Sequence, residues 1–213
     1  MKIDNDFITS LIKYDNPIPL VWENLLNIWL SKADDNLEEY YYQGEEDASS
    51  FEDFLLKTYD EFFTRVLPKA CWNEPSPFQK EDSETCFIVM DGMSIREGVL
   101  IFKTIQRQGI VSRIDYSLSA IPSDTQSFRE KIKPDLSGKE KFVEISNPGD
   151  IRISEQERYI WSYFPDVMLD KIQAGHAVIS SLENMYKTLE KIILVVLEKI
   201  KSKKIIILSD HGY

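Results

Sequence analysis

Apolar residues along the chain fall into two regimes. Up to about residue 68 they recur at helical spacing: Val21, Leu25, Leu26, Ile28, Trp29 and Leu30 suit one helix face, and Phe51, Phe54, Leu55, Phe62, Phe63 and Val66 suit another. A polar loop is expected between these helices, around Gln43 to Ala48. Beyond residue 85, short continuous apolar runs take over. Cys86 to Met90 (CFIVM) and Ile205 to Leu208 (IIIL) are bounded by polar residues, as expected of strands buried on both faces of a parallel sheet. Ile110 to Ala120 (IVSRIDYSLSA) alternates and predicts a further strand that stops at Pro122. Phe142 to Ile145 and Tyr159 to Phe164 predict two more, the latter rich in aromatic and β-branched side chains.

Helix signals separate these runs. Ser94 with Glu97 makes a capping box, followed by Val99, Phe102 and Ile105 on one face, and Ser123 with Gln126 offers another start. Ser180 and Glu183 open a long helix whose stripe is Leu182, Met185, Leu189, Ile192, Val196 and Ile200. Lys199, Lys201, Lys203 and Lys204 then complement the negative end of its dipole. The segment Asn73 to Glu84, with Pro75, Pro77 and mixed charges, reads as a linker. The expected organisation is an acidic helical region and linker over residues 1–80, then an α/β domain over 81–213. That domain should carry a mostly parallel sheet with helices on both faces.

Composition and charge narrow the function. A chain of 213 residues that is 43% hydrophobic can bury a core. Its net charge of −11 argues against a large surface that tracks nucleic acid, which needs clustered Lys and Arg. A small phosphorylated substrate is easier to accommodate. Ten acidic residues between Ser31 and Asp60, against Lys32 and Lys57, read as a solvated helical surface. No apolar run approaches the roughly 20 residues needed to span a bilayer, and the first ten residues lack signal-peptide character, so a cytoplasmic protein without a membrane partner is expected. Cys71 and Cys86 fit no zinc spacing and read as reduced, structural thiols.

In open α/β sheets, ligands bind beyond the carboxyl ends of strands, so the residues after each apolar run matter most. Asp91-Gly92 follows CFIVM, Pro122-Ser123-Asp124-Thr125 follows the alternating run, Pro165-Asp166 follows Tyr159 to Phe164, and Asp210-His211-Gly212 follows IIIL. Asp-Gly after a strand is by itself an ordinary turn. Together, though, the carboxylates, imidazole and hydroxyls expected at one sheet edge are the hard donors that a divalent cation needs. No glycine-rich phosphate loop follows any strand, which sets aside other nucleotide-binding folds.

Three segments, VMDGMSIREG (Val89 to Gly98), SAIPSDT (Ser119 to Thr125) and IILSDHGY (Ile206 to Tyr213), resemble in this order the signatures of PglZ domains, members of the alkaline phosphatase superfamily. The resemblance covers about Cys86 to Tyr213. It implies an alkaline phosphatase-like fold and a two-metal site, zinc or manganese, that hydrolyses or transfers phosphate or sulfate esters. By the same resemblance Asp91 is the first metal ligand, Thr125 the attacking hydroxyl with Ser123 as its alternate, and Asp210 with His211 the later ligand pair. A middle motif is represented loosely, by Asp166, Asp170 and Gly175-His176 at wider spacing. Superfamily members draw a further histidine from beyond the Asp-His-Gly element, so the resemblance leads us to expect a truncated domain. The activity implied is that of a metal-dependent phosphatase or phosphodiesterase. Relatives in bacterial phage defence and signalling point to a nucleotide or oligonucleotide substrate. The alternative is a catalytically degenerate interaction module of the same fold, whose acidic helical region docks to a protein partner.

Overall fold

A computed structural model describes residues 5–80, 82, 84–136, 141–171, 180–202 and 204–212. The chain divides into two compact units, one formed by Met1–Asn73 with Ile114–Leu118, the other by Glu74–Arg113 with Ser119–Tyr213.

The first unit is helical: α1 (Asn5–Lys13), α2 (Ile18–Leu30), α3 (Leu37–Thr58), a π-helical turn (Phe62–Val66) and α4 (Leu67–Asn73). Its interior holds Leu11, Trp29, Tyr40, Phe51 and Leu55, with the Trp29 and Tyr40 rings 5.2 Å apart. The expected loop at Gln43 to Ala48 does not exist, because α3 runs unbroken through it. Asn36 caps α3 by accepting from the Glu39 N–H, and the Glu, Gln and Ala of the supposed loop are strong helix formers. Gly44, which suggests a break, serves packing instead. A Cβ built there would stand 2.1 Å from Cζ3 of Trp29, so the bare glycine is what lets the indole lie against α3.

The predicted strand over Ile110 to Ala120 is also absent, since these residues make no ladder. The alternation is nonetheless real. Ile114, Tyr116 and Leu118 are half-buried while Asp115 and Ser117 are exposed, and the Tyr116 ring lies 5.3 Å from that of Trp22. An extended segment that buries every second side chain against helices writes the same pattern as a strand.

The second unit carries β1 (Thr85–Met90), α5 (Ile95–Arg107), α6 (Thr125–Ile132), β2 (Val143–Ile145), β3 (Tyr159–Ser162), α7 (Asp166–Lys171), α8 (Ser180–Lys199) and β4 (Lys204–Ser209), after a 3-10 turn at Pro77–Lys80. The four strands are all parallel, in the order β2-β3-β1-β4. The α/β class and the parallel sheet are therefore as expected. β1 is interior and buried throughout, which explains its unbroken apolar run. On one face Phe87, Val89, Tyr159, Trp161 and Leu208 pack with Phe78 and with Phe128 and Ile132 of α6. The Phe78 and Phe87 rings stack at 4.5 Å. α5 and α8 are joined by a buried hydroxyl pair, Thr104 Oγ1 and Tyr186 Oη at 2.7 Å.

Two details differ from expectation. β4 is an edge strand, so Ile205, Ile206 and Ile207 are half-buried and only Leu208 is fully enclosed. A run of four apolar residues reports high hydrophobicity, but whether a strand lies inside or at the rim is decided by pairing. The N-cap of α6 is Asp124 and not Ser123: the Asp124 carboxylate accepts from the Ser127 N–H at 2.7 Å, and that bond holds its carboxyl below the usual range. By contrast, the capping box of Ser94 and Glu97 forms as expected. Both cysteines are free, and burial pushes the Cys86 thiol up to about 11. No described helix is long and apolar enough to cross a membrane.

Replacing Gly44 by alanine tests the packing account directly. Helix propensity alone favours alanine by about 1 kcal/mol, whereas overpacking costs about 1–3 kcal/mol. We expect a net loss of stability in chemical denaturation, and we expect Trp29→Leu in the same chain to reverse the sign. Gly44→Ala that stabilises the wild-type chain would show that Trp29 does not need the space.

Candidate metal and nucleophile site

Parallel pairing sets the geometry. β1 and β4 are in register with Met90 opposite Ser209, so the next residues, Asp91 and Asp210, leave the sheet side by side at its carboxyl edge. Both are buried, at 5% and 1% exposure. Each carboxylate has one oxygen held by the protein. Asp210 Oδ1 accepts from the backbone N–H groups of Gly92 at 3.0 Å and His211 at 2.9 Å, and Asp91 Oδ2 accepts from the Trp161 indole N–H at 3.2 Å. Gly92 has φ of +71°, which glycine adopts without the steric penalty of a Cβ and which turns the chain sharply after β1.

The remaining oxygens converge. Thr125 Oγ1 donates to Asp210 Oδ2 at 2.7 Å, and Asp91 Oδ1 lies 3.2 Å from the same hydroxyl. His211 Nδ1 is 3.1 Å from Asp210 Oδ2 and 3.9 Å from Asp91 Oδ1. One donor atom from each of Asp91, Asp210 and His211 thus falls within 4.8 Å of the others. Thr125 reaches this point as the first residue of α6, within the helix start expected at Ser123 to Gln126. Its approach is tied down by Ser119, whose hydroxyl donates to the Asp210 carbonyl at 3.3 Å and lies 3.1 Å from Ser123 Oγ.

Electrostatics distinguish the site from an ordinary turn. Burial, and then the negative charge of Asp210, push the Asp91 carboxyl up to about 6, with Asp166 adding to the effect. Among the described residues, neither Asp91 nor Asp210 has a lysine or arginine as ion-pair partner. Two buried carboxylates facing one another, with an imidazole nitrogen beside them, form a donor set of hard oxygens and one nitrogen. That set fits a divalent cation of the zinc or manganese kind.

The other candidate residues are placed differently. Asp166 begins α7, its backbone N–H donating to the Asp91 carbonyl at 3.0 Å. Asp170 lies further along α7, and His176 lies outside the described residues. Ser123 is exposed and pairs with Ser119, while Thr125 makes the carboxylate contacts. Gly92 and Ser119 lie in segments that the sequence already marks, whereas Trp161 belongs to the site without any local signal of it. Trp161 reads as core, and its indole meets Asp91 through the register of β1 and β3, where Val89 pairs with Trp161.

Comparison with known proteins gives no match: no family model, no curated protein and no solved structure is similar to this chain.

The repulsion across the site makes a prediction about stability. A carboxyl whose folded pKa is raised contributes stability that is present below about 4 and lost as pH rises through about 6. In chelator at pH 7.5, Asp91→Asn should therefore melt higher than the parent, by roughly 2–6 °C. The gap should shrink as pH falls through about 6 towards 4. Thermal melts over that range check this; a variant less stable at every pH would mean that the charge is not what strains the site.

Proposed function

We propose that this constellation is the active site of a metal-dependent phosphoester hydrolase of PglZ type, in an α/β domain of alkaline phosphatase-like fold. The observation that carries the reading is the meeting of Thr125 Oγ1 with Asp91 and Asp210, beside His211. The PglZ-like motifs supply the same residues in the same roles. Asp124 already caps α6, so the Thr125 hydroxyl has no capping task, and it lies instead between two buried carboxylates.

Asp91, Asp210 and His211 would hold the ion, with Asp166 the candidate to extend the set. When bound, such an ion supplies Lewis-acid stabilisation of an alkoxide and of phosphoryl oxygens. The chain's own groups do the rest. The Thr125 hydroxyl proton points to Asp210 Oδ2, which orients the oxygen lone pairs for attack and is placed to take that proton. Attack forms the bond from Oγ1 to phosphorus and breaks the ester bond, so that the alcohol leaves with a proton. That alcohol proton is the one Asp210 took; water then adds to phosphorus, gives up a proton of its own, and that proton passes to Oγ1 as its bond to phosphorus breaks. Substrates of this class include nucleotide or oligonucleotide phosphodiesters.

Two experiments test the reading. Zinc or manganese should support hydrolysis of a generic phosphodiester such as bis(p-nitrophenyl) phosphate, and Thr125→Ala should lower the rate by roughly two or more orders of magnitude with folding intact. An unchanged rate would remove Thr125 from the mechanism. Zinc or manganese should also raise the melting temperature of the parent, by an amount set by RT ln(1 + [L]/Kd), and should not raise that of His211→Ala. A complete chain that takes up no metal would favour the interaction-module reading, with the acidic helical unit as its docking surface.

A further inference from the structure

A cavity of about 710 Å³ opens beside Thr125 and runs along α6. Its walls are Ile132, Leu136, Phe142 and Trp161. Gln126, Arg129, Glu130, Lys133 and Glu144 complete it as a polar rim. Its volume falls within the roughly 300–1,000 Å³ of small-molecule sites and far exceeds what a methyl or ethyl ester would fill.

The cavity and the reactive site share a wall. Thr125 and Arg129 stand one helical turn apart, and the Arg129 guanidinium carbon lies 4.4 Å from the centre of the Trp161 ring. The edge of that same indole donates to Asp91. Phe142 meets Trp161 edge-on, ring centres 5.4 Å apart at 88°. An aromatic guest packed on Phe142 would thus extend an aromatic cluster that already exists, in a cavity whose lining includes Thr125.

Charge decides against a different guest. Among the described lining residues Arg129 and Lys133 are balanced by Glu130 and Glu144, so these four add no net charge to attract a second phosphate. A polyphosphate tail would meet two carboxylates as well as two cations. A flat ring with few charges loses nothing there, and its in-plane heteroatoms find both donors and acceptors on the rim. The rim groups are also held in place: Gln126 donates to Glu130 at 3.2 Å, and the Tyr163 hydroxyl bonds to Glu144.

We propose that this cavity seats the planar, uncharged aromatic part of the phosphoester, with the phosphorus at Thr125. The proposal rests on the hydrolase reading for the identity of the reacting group, though not for the existence of the binding site.

Phosphonates separate the two, because their carbon–phosphorus bond is not hydrolysed and binding is read without turnover. Phenyl-, cyclohexyl- and methylphosphonate carry the same anionic head. Their affinities for the full chain in zinc are measured by calorimetry. Phenylphosphonate should bind about tenfold or more tightly than methylphosphonate, and more tightly than cyclohexylphosphonate. Gln126→Trp, or Lys133→Trp if the first fails to fold, places a bulky ring over the cavity from an exposed rim position and should collapse the phenyl-to-methyl ratio towards one. Equal binding of phenyl and methyl compounds, no binding of either, or a ratio that survives both rim variants would overturn the proposal. Cyclohexylphosphonate binding as tightly as phenylphosphonate would overturn its aromatic part. If the ratio holds and no phosphoester is hydrolysed, the cavity stands and the hydrolase reading falls.

Discussion

Two carboxylates that emerge next to one another from adjacent parallel strands, and are then buried, constrain everything around them. Parallel register leaves Asp91 and Asp210 no freedom to separate, because each is the next residue after a paired position. Burial, and then their mutual repulsion, push the Asp91 carboxyl upward, and the surroundings answer with neutral donors: two backbone N–H groups on Asp210, the indole on Asp91 and the threonine hydroxyl between them. Such donors orient the oxygens without cancelling their charge. The remaining attraction for a cation is the physical core of the function we propose.

The same constraint explains why distant parts of the second unit are built as they are. α6 performs two tasks from one face: its first residue brings the hydroxyl to the carboxylates, while Phe128 and Ile132 close the sheet. Trp161 likewise belongs to the core by its ring and to the site by its nitrogen. A substitution in this core would therefore be felt at Asp91, since the indole cannot shift without moving the hydrogen bond it donates. Stability and site geometry are coupled here through shared side chains, with no separate layer of supporting residues between them.

The helical unit shows how a local signal can be right in kind and mistaken in meaning. Gly44 marks a helix-breaking residue by propensity, yet its missing side chain is filled by Trp29 and the helix continues. Ile114, Tyr116 and Leu118 alternate as a strand does, yet no ladder forms and Tyr116 packs on Trp22 of a helix. In both cases the pattern records that a side chain is buried. It does not record what buries it.

By itself the sequence determined the class of the domain, the apolar runs of β1, β3 and β4, the capping box of α5, the stripe of α8, and the acidic or hydroxyl residues that follow the strands. These are short-range facts, set by side-chain period, capping chemistry and turn preference within a few residues. The tertiary structure alone decided that β4 is a rim strand, that the Thr125 hydroxyl lies between the two carboxylates, and that Trp161 is a donor to Asp91. Each of these depends on pairing register or on contacts between residues more than thirty positions apart, such as the 34 that separate Asp91 from Thr125. No local period encodes such a distance. It exists only once the strands have chosen their neighbours.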